Sequence, residues 1–115
     1  MITIFGIPNC DKCRAAKKWF AAHGIAAEFH DLRLDGLAPD QLKLWQETVG
    51  DDALINRRST TWRGLAAAER ENLSSAASRK LVLRHPTLLK RPIVSDGKTV
   101  LVGYDEAAWS ALAQR

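Results

Sequence analysis

Two cysteines at the junction of a predicted strand and a predicted helix constrain this chain more than any other feature. Cys10 and Cys13 are its only cysteines. The apolar stretch of residues 1–5 predicts a buried strand before them, and the amphipathic stretch of residues 11–23 predicts a helix after them. A thiolate at that junction faces unpaired backbone N–H groups and the positive end of the helix, which stabilise an anion. The pattern indicates thiol redox or thiol-nucleophile chemistry at Cys10.

Three other roles for the cysteine pair have to be weighed. A structural disulfide would close too short a loop to stabilise the fold appreciably. A zinc site needs further ligands, and the three histidines are scattered without ligand spacing, so no metal is expected. Cys13 shares an apolar helix face with Ala16 and Phe20. It is therefore either a packing residue or a thiol that resolves adducts formed on Cys10.

Size and charge narrow the class of protein. A chain of 115 residues can bury a sizeable core as one domain, and its apolar runs are far too short to span a membrane. The net charge of +4 favours an anionic ligand such as glutathione, an oxyanion or an acidic protein surface. Because the basic residues are dispersed, no direct nucleic-acid partner is expected. A Cys-x-x-Cys pair without an evident secretory signal suggests a cytoplasmic protein, which we expect to be monomeric.

The remaining apolar pattern predicts a helical middle segment between two groups of strands. The predicted elements after the first helix are a strand at 25–32, helices at 39–49, 65–73 and 75–84, strands at 92–94 and 99–102, and a helix at 105–113. Asp96 and Gly97 predict a hairpin turn, and Ser75 and Asp105 are the expected N-caps. The order predicts an α/β, thioredoxin-like fold, β-α-β then β-β-α, in a single domain over residues 1–115. A helical insertion at about residues 36–88 separates strands 2 and 3.

Arg91 and Pro92 form the second informative segment. Pro92 starts the third predicted strand, a position that tolerates a residue without an N–H. In a thioredoxin-like fold such a proline is typically cis and packs beside the active cysteine, which would bring Arg91 next to the Cys10 thiolate. A guanidinium there would lower the thiol pKa and offer a planar donor pair to a carboxylate or oxyanion. A trans proline and a surface ion pair are the competing interpretations.

Several loop residues are candidates for binding an anion. Asn9 and the N–H groups of its loop are placed to form an anion-binding nest beside the first cysteine. Arg57 and Arg58 lie in a predicted polar connection at residues 56–63, after a predicted helix break at residues 50–52. Arg57 is expected to be solvated. Packing roles are assigned to Trp45, Trp62 and Trp109.

A set of short stretches carries a family resemblance. These stretches are Ile4-Phe5-Gly6-Ile7-Pro8-Asn9-Cys10-Asp11, Phe29-His30-Asp31, Asp35-Gly36-Leu37, Ile55-Asn56-Arg57-Arg58-Ser59-Thr60-Thr61-Trp62-Arg63, His85-Pro86, Lys90-Arg91-Pro92-Ile93-Val94 and Leu101-Val102-Gly103-Tyr104. Over essentially its whole length the chain resembles the arsenate-reductase-like (ArsC/Spx) family of thioredoxin-fold proteins. Residues 29–31 and 60–63 are most similar to the YffB-type branch, proposed to be glutathione-dependent thiol reductases.

The resemblance implies a role for each candidate site residue. Cys10 matches the nucleophilic cysteine, Arg58 an arginine that approaches the oxyanion or glutathione, and Arg91 the arginine before the cis proline, here Pro92. Arsenate reductases proper use a third arginine, and the corresponding stretch, residues 101–104, contains none. The resemblance therefore favours a thiol reductase over an arsenate reductase.

Cys13 points toward a different branch of the same family. A Cys-x-x-Cys pair resembles the Spx-type regulators, which bind RNA polymerase and sense oxidation by forming that disulfide. We expect a glutathione-dependent thiol–disulfide reductase with glutathione as co-substrate and no bound cofactor. The alternatives are a redox-sensing regulator that binds RNA polymerase and an arsenate reductase. A protein disulfide is a further possible substrate under the first interpretation.

Overall fold

The computed structural model describes residues 1–71 and 73–114. Its elements are β1 (Ile2–Gly6), α1 (Asp11–Ala22), β2 (Ala27–Asp31), α2 (Pro39–Val49), α3 (Asp51–Leu54), α4 (Thr60–Arg63), α5 (Ala67–Arg70), α6 (Ser75–Arg84), a 3-10 helix (Pro86–Leu88), β3 (Ile93–Ser95), β4 (Val100–Val102) and α7 (Glu106–Ala113). They form two compact units. The first comprises residues 1–36 and the chain from Arg91 onward, and the second comprises Leu37–Lys90, close to the predicted insertion.

The first unit is built on one four-stranded sheet with the strand order β2-β1-β3-β4. β1 and β2 are parallel, from Ile2 opposite Ala27 to Gly6 opposite Asp31, and α1 connects them. β3 is antiparallel both to β1 and to β4. The predicted α/β class and the thioredoxin-like order of strands and helices are confirmed.

The core of the first unit lies where α1 and α7 pack on the sheet. Ala16, Trp19 and Phe20 of α1 are buried there with Trp109 of α7. The Trp109 ring centroid lies 5.4 Å from that of Trp19 and 5.3 Å from that of Phe20. His23 is exposed, because α1 ends at Ala22 and His23 is its C-cap. Its ring stacks on Trp19 with 4.1 Å between the ring centroids.

The second unit is helical, and a polar network joins its two longest helices. Gln46 of α2 donates through Nε2 to Asp51 Oδ1 and to the Ser75 carbonyl, both at 2.9 Å. Its Oε1 accepts from Arg79 Nη1 of α6 at 2.6 Å. Trp45, on the same helix, is fully buried, as predicted. One amide side chain thus fixes the approach of α2 and α6.

Short helices account for most departures from the sequence expectation in this unit. The predicted break at residues 50–52 overlaps α3, and the predicted connection at residues 56–63 contains α4. The helix expected at residues 65–73 is confined to α5 (Ala67–Arg70), and position 72 of that prediction lies outside the described residues. One-turn helices are too short to show a periodic apolar pattern, so periodicity does not detect them.

The N-caps were predicted correctly at one helix and wrongly at another. The Asp105 carboxylate accepts from the Ala108 backbone N–H at the start of α7, as predicted. At α6 the N-cap is Ser74, whose Oγ accepts from the Ala77 N–H, and the prediction of Ser75 was wrong by one residue. Two consecutive serines offer the same hydroxyl chemistry, so the backbone geometry decides between them.

Candidate thiol active site

Cys10 occupies the N-cap position of α1, after the loop of residues 7–9 that leaves β1. Its backbone is extended, with φ −143° and ψ 121°, and the helix begins at the next residue. The side chain is half-buried and makes no capping hydrogen bond of ordinary geometry. The first N–H groups of α1 therefore stay available to stabilise a negative charge on the sulfur.

Cys13 lies one helical turn further on and is fully buried. Its sulfur sits against the backbone of Gly6, at the end of β1. The Ile7 N–H donates to this sulfur, and a hydrogen bond joins the Cys13 and Cys10 thiols. Both cysteines are free thiols. The structure therefore brings the two sulfurs together while leaving only the first partly open to solvent.

The two thiols titrate in opposite directions. Burial works against ionisation of Cys10, but the backbone N–H and thiol of Cys13 and the guanidinium of Arg91 stabilise the thiolate, and the net result is a lowered pKa. Burial raises the pKa of Cys13 to about 11, and the neighbouring Cys10 sulfur adds to the rise. Cys10 is thus the thiol that ionises first, which is the order predicted from its position at the helix start.

Arg91 reaches Cys10 because of the way β3 enters the sheet. The Arg91–Pro92 peptide bond is cis, as predicted, and Pro92 is buried. β3 then runs antiparallel to β1, with Ile93 opposite Phe5 near the end of β1 that leads to the cysteine loop. The Arg91 side chain hydrogen-bonds the Cys10 sulfur and adds a favourable charge interaction with the thiolate. A residue distant in sequence thus completes the charge environment of the thiol.

Arg14 ties the cysteine loop to the first turn of α1. Its Nη1 donates to the Pro8 carbonyl at 3.1 Å, and its Nη2 pairs with the Asp11 carboxylate. The pair is exposed, so its energy is small. It nevertheless offsets the one acidic charge next to Cys10, which would otherwise disfavour the thiolate.

The two adjacent arginines of the second unit have different surroundings. Arg57 donates to Asp52 Oδ1 at 3.1 Å, and its guanidinium lies 5.5 Å from the centre of the Trp62 ring. Arg57 is exposed, as expected, and makes both contacts at the protein surface. Arg58 is exposed, and among the described residues of its own unit its guanidinium forms no hydrogen bond or ion pair. Its role toward the thiol stays a prediction.

The comparison with known proteins gives the family. The family model described as the ArsC family matches residues 5–112. The chain belongs to the ArsC family. A global transcriptional regulator Spx of Streptococcus agalactiae is 33% identical to it over 92% of this chain and 78% of the regulator. The family prediction made from the sequence is confirmed.

Two solved structures have the same fold. A YFFB protein superposes with a TM-score of 0.93 at 32% identity, covering 98% of this chain and 99% of that one. An arsenate reductase (ArsC) related protein from Brucella melitensis has a TM-score of 0.77 at 37% identity, covering 96% and 92% of the two chains. The ArsC chain is thus similar both to a transcriptional regulator and to proteins named for arsenate reductase.

The part of the ArsC chain that the structure describes has neither a metal-binding cluster nor a membrane-spanning helix. No cluster of three or more His, Cys, Asp or Glu side chains there could hold a metal ion. None of the helices in that part is both long enough and apolar enough to cross a membrane. Asn9, directly before Cys10, is exposed, and its role in binding an anion stays a prediction.

Sequence reasoning missed the residues that hold Cys13. Gly6 and Ile7 lie between the predicted strand and the predicted helix and have no predicted role, although Gly6 borders the Cys13 sulfur and Ile7 donates its N–H to it. The available signal was a glycine at the end of a buried strand, immediately before the cysteine loop. Such a glycine often marks a close approach to a neighbouring group.

Proposed function

We propose that this ArsC-family protein is a glutathione-dependent thiol–disulfide reductase in which Cys10 is the nucleophile. The observation that carries the proposal is the placement of two adjacent thiols, of which Cys10 is half-buried beside Arg91 and Cys13 is fully buried. This placement lowers the pKa of Cys10 and raises that of Cys13. A thiolate is the attacking form of cysteine, and a lowered pKa increases the fraction of Cys10 that is thiolate at neutral pH. The half-buried Cys10 side chain also stays accessible to a substrate. Glutathione also carries carboxylates, which suit a site bordered by arginine.

The reaction proceeds by two thiol–disulfide exchanges. The Cys10 thiolate attacks the glutathione sulfur of a mixed disulfide, the old S–S bond breaks, and the substrate leaves as a thiolate that takes up a proton. A second glutathione thiolate then attacks the glutathione sulfur bound to Cys10. This releases oxidised glutathione and regenerates the Cys10 thiolate, so the substrate disulfide is reduced and two glutathione sulfurs are joined.

Cys13 is the less effective resolving group at neutral pH. With a pKa of about 11, roughly one Cys13 in ten thousand is ionised at pH 7 in the reduced protein. Free glutathione competes easily with such a thiol. Arg91 is proposed to bind a carboxylate of glutathione, with Asn9 and the Pro92 segment lining the same site. Arg58 is also proposed to contribute to glutathione binding, as the family resemblance implies. We assign the activity to a cytoplasmic monomer with no bound cofactor.

The test is to incubate the reduced protein with oxidised glutathione and to weigh the intact product. Wild type and Cys13→Ser should each gain one glutathionyl group, whereas Cys10→Ser should gain none. Turnover of a glutathione mixed disulfide should be lost in Cys10→Ser and retained in Cys13→Ser. Equal labelling of Cys10→Ser and wild type would contradict the assignment of the nucleophile.

A redox-sensing regulator that binds RNA polymerase is the second candidate, favoured by the hydrogen bond between the two thiols and by the Spx relative. Peroxide would oxidise Cys10 to a sulfenic acid, and Cys13 would displace water from it to form a disulfide. Peroxide treatment should then remove two hydrogens from the protein. Accumulation of sulfinic acid on Cys10 with Cys13 unchanged would exclude this switch.

Arsenate reduction is the third candidate. A structural relative is named for arsenate reductase, but residues 101–104 lack the third arginine that the family resemblance requires. An assay of arsenite formation with glutathione as reductant distinguishes it from the first proposal. We expect no turnover of arsenate.

A further inference from the structure

Gly6 differs from most other glycines of the described chain, because a side chain at its position would collide with a neighbouring residue. Five glycines adopt positive φ angles and have open space where a Cβ would be, at positions 24, 36, 50, 97 and 103. Gly6 has neither property. A Cβ built on it would lie 2.4 Å from the Cys13 sulfur and 3.2 Å from the Cys13 Cβ. Backbone freedom is therefore not what requires a glycine at this position.

The Cys13 sulfur is fixed in this space by two hydrogen bonds. It accepts from the Ile7 N–H on one side and is joined to the Cys10 sulfur on the other. Because the Ile7 N–H is the donor in the first of these, the single proton of the Cys13 thiol is directed to Cys10. The side chain is fully buried, so no water competes for that proton.

We propose that Gly6 is a positioning residue for the nucleophile: its missing Cβ provides the space that holds the Cys13 thiol as a hydrogen-bond donor to Cys10. The inference rests on the proposed role of Cys10 and deepens it. Cys13 then acts mainly by stabilising the Cys10 thiolate in the resting protein. A methyl group on Gly6 cannot coexist with the present sulfur position, so it would rotate the sulfur away from its partners.

The experiment is a double-mutant cycle read as the pH profile of Cys10 alkylation by iodoacetamide. Gly6→Ala should raise the Cys10 pKa by about one unit, the value expected for losing a hydrogen bond to a charged group. Cys13→Ala should cause a similar rise. In Gly6→Ala/Cys13→Ala the first substitution should add nothing, because no sulfur remains to displace and the remaining 3.2 Å Cβ contact needs only a small adjustment.

Cys13→Ser keeps the inference testable if Gly6→Ala does not fold. A serine hydroxyl retains the donor in nearly the same volume, so the Cys10 pKa should stay close to that of wild type while Cys13→Ala shifts it. Equal shifts in the two variants would overturn the inference. An unchanged Cys10 pKa in a folded Gly6→Ala protein would also overturn the inference. The same result would follow if Gly6→Ala shifted the Cys10 pKa equally in wild type and in Cys13→Ala.

Failure of this inference is distinguishable from failure of the proposed function. Alkylation requires no glutathione, whereas the proposed function is tested by adduct formation from oxidised glutathione on the wild-type protein. If the wild-type protein forms the Cys10 adduct but Gly6→Ala leaves the Cys10 pKa unchanged, only the positioning role of Gly6 is refuted and the proposed function stands.

Discussion

At the residue scale, the two cysteines show how position decides the chemistry of identical side chains. Cys10 is half-buried at a helix start beside Arg91, so its charged form is stabilised. Cys13, three residues later, is enclosed by the strand and helix and retains its proton to about pH 11. The difference arises from solvent access and from which thiol donates the shared hydrogen bond.

Alkylation rates measured separately for each cysteine should reflect this difference. In the folded protein, Cys10 should react with iodoacetamide below the pH expected for a free thiol, and Cys13 should stay essentially unmodified at neutral pH. Peptide mass spectrometry after timed quenching gives both rates. In denaturant the alkylation rates of the two cysteines should become similar. Equal rates in the folded protein would contradict the proposed asymmetry.

Arg91 should contribute both to the thiolate and to the ligand. Arg91→Ala is expected to raise the Cys10 pKa and weaken glutathione binding, because it removes a hydrogen bond and a positive charge. Arg91→Lys should recover much of the pKa but less of the binding, since an ammonium lacks the planar donor pair. Calorimetric titration with glutathione measures the binding.

Arg57 and Arg58 provide the matched comparison for this test. Arg58→Ala should weaken glutathione binding, whereas Arg57→Ala should leave it unchanged, because Arg57 is engaged by Asp52 and Trp62. Unchanged affinity in Arg91→Ala would remove the main support for glutathione as co-substrate. It would shift preference to the regulator.

At the scale of secondary-structure elements, helix ends carry much of the information about the fold. α1 begins directly after Cys10 and presents its first N–H groups to the reactive sulfur, so the helix that packs on the sheet also stabilises the thiolate. α4, α6 and α7 begin instead with conventional side-chain caps from Ser59, Ser74 and Asp105. The helix at the site has no side-chain cap, so its first N–H groups are available to an anion.

Two neighbouring serines allow a direct test of the cap at α6. Ser74→Ala should lower the free energy of unfolding by about 1 kcal/mol, because it leaves the Ala77 N–H without its partner. Ser75→Ala should cost much less, since that side chain is on an exposed first turn where alanine is a good helix former. Urea denaturation of both variants measures the difference. A larger loss for Ser75→Ala would contradict the assigned cap.

At the scale of the whole molecule, the candidate site residues are distributed over two compact units. The first unit contains the sheet, both cysteines and Arg91, and the second contains Arg58 and the helices between β2 and β3. Protons bound at the cysteine pair are part of the folding equilibrium, because each thiol has a different pKa in the folded and unfolded chains.

The stability of the reduced protein should therefore depend on pH in a defined way. Below about pH 9 the lowered pKa of Cys10 makes the free energy of unfolding rise with pH, since the unfolded chain holds the proton that the folded protein has released. From about pH 9 to 11 Cys13 has the opposite effect, because the folded protein keeps a proton that the unfolded chain loses.

The loss of stability between pH 9 and 11 should be no more than about 3 kcal/mol. It should be absent from Cys13→Ser, whose hydroxyl does not titrate in that range, while other titrating groups contribute equally to both proteins. Denaturant unfolding of the two proteins at several pH values, under reducing conditions, gives the comparison. Parallel pH curves would contradict the raised pKa of Cys13.

Features that depend on local pattern could be predicted from the amino-acid sequence alone. The apolar run before Cys10, the amphipathic helix after it and the Asp96-Gly97 hairpin predicted most of the strand and helix order. α2 and α6 were predicted with the bounds they have in the structure. These features follow from periodicity, turn chemistry and helix propensity, which act over a few residues.

Which side chains contact each other depends on the packing of the folded chain. Pairing of β3 with β1 brings Arg91 to Cys10, and no local pattern encodes a contact across so much sequence. The same holds for the partners of Arg57, which is exposed as expected and contacts Asp52 and Trp62. Burial of Cys13 against Gly6 likewise required the packing of α1 on β1. Such contacts depend on the geometry of packed elements, and that geometry is set by the whole chain.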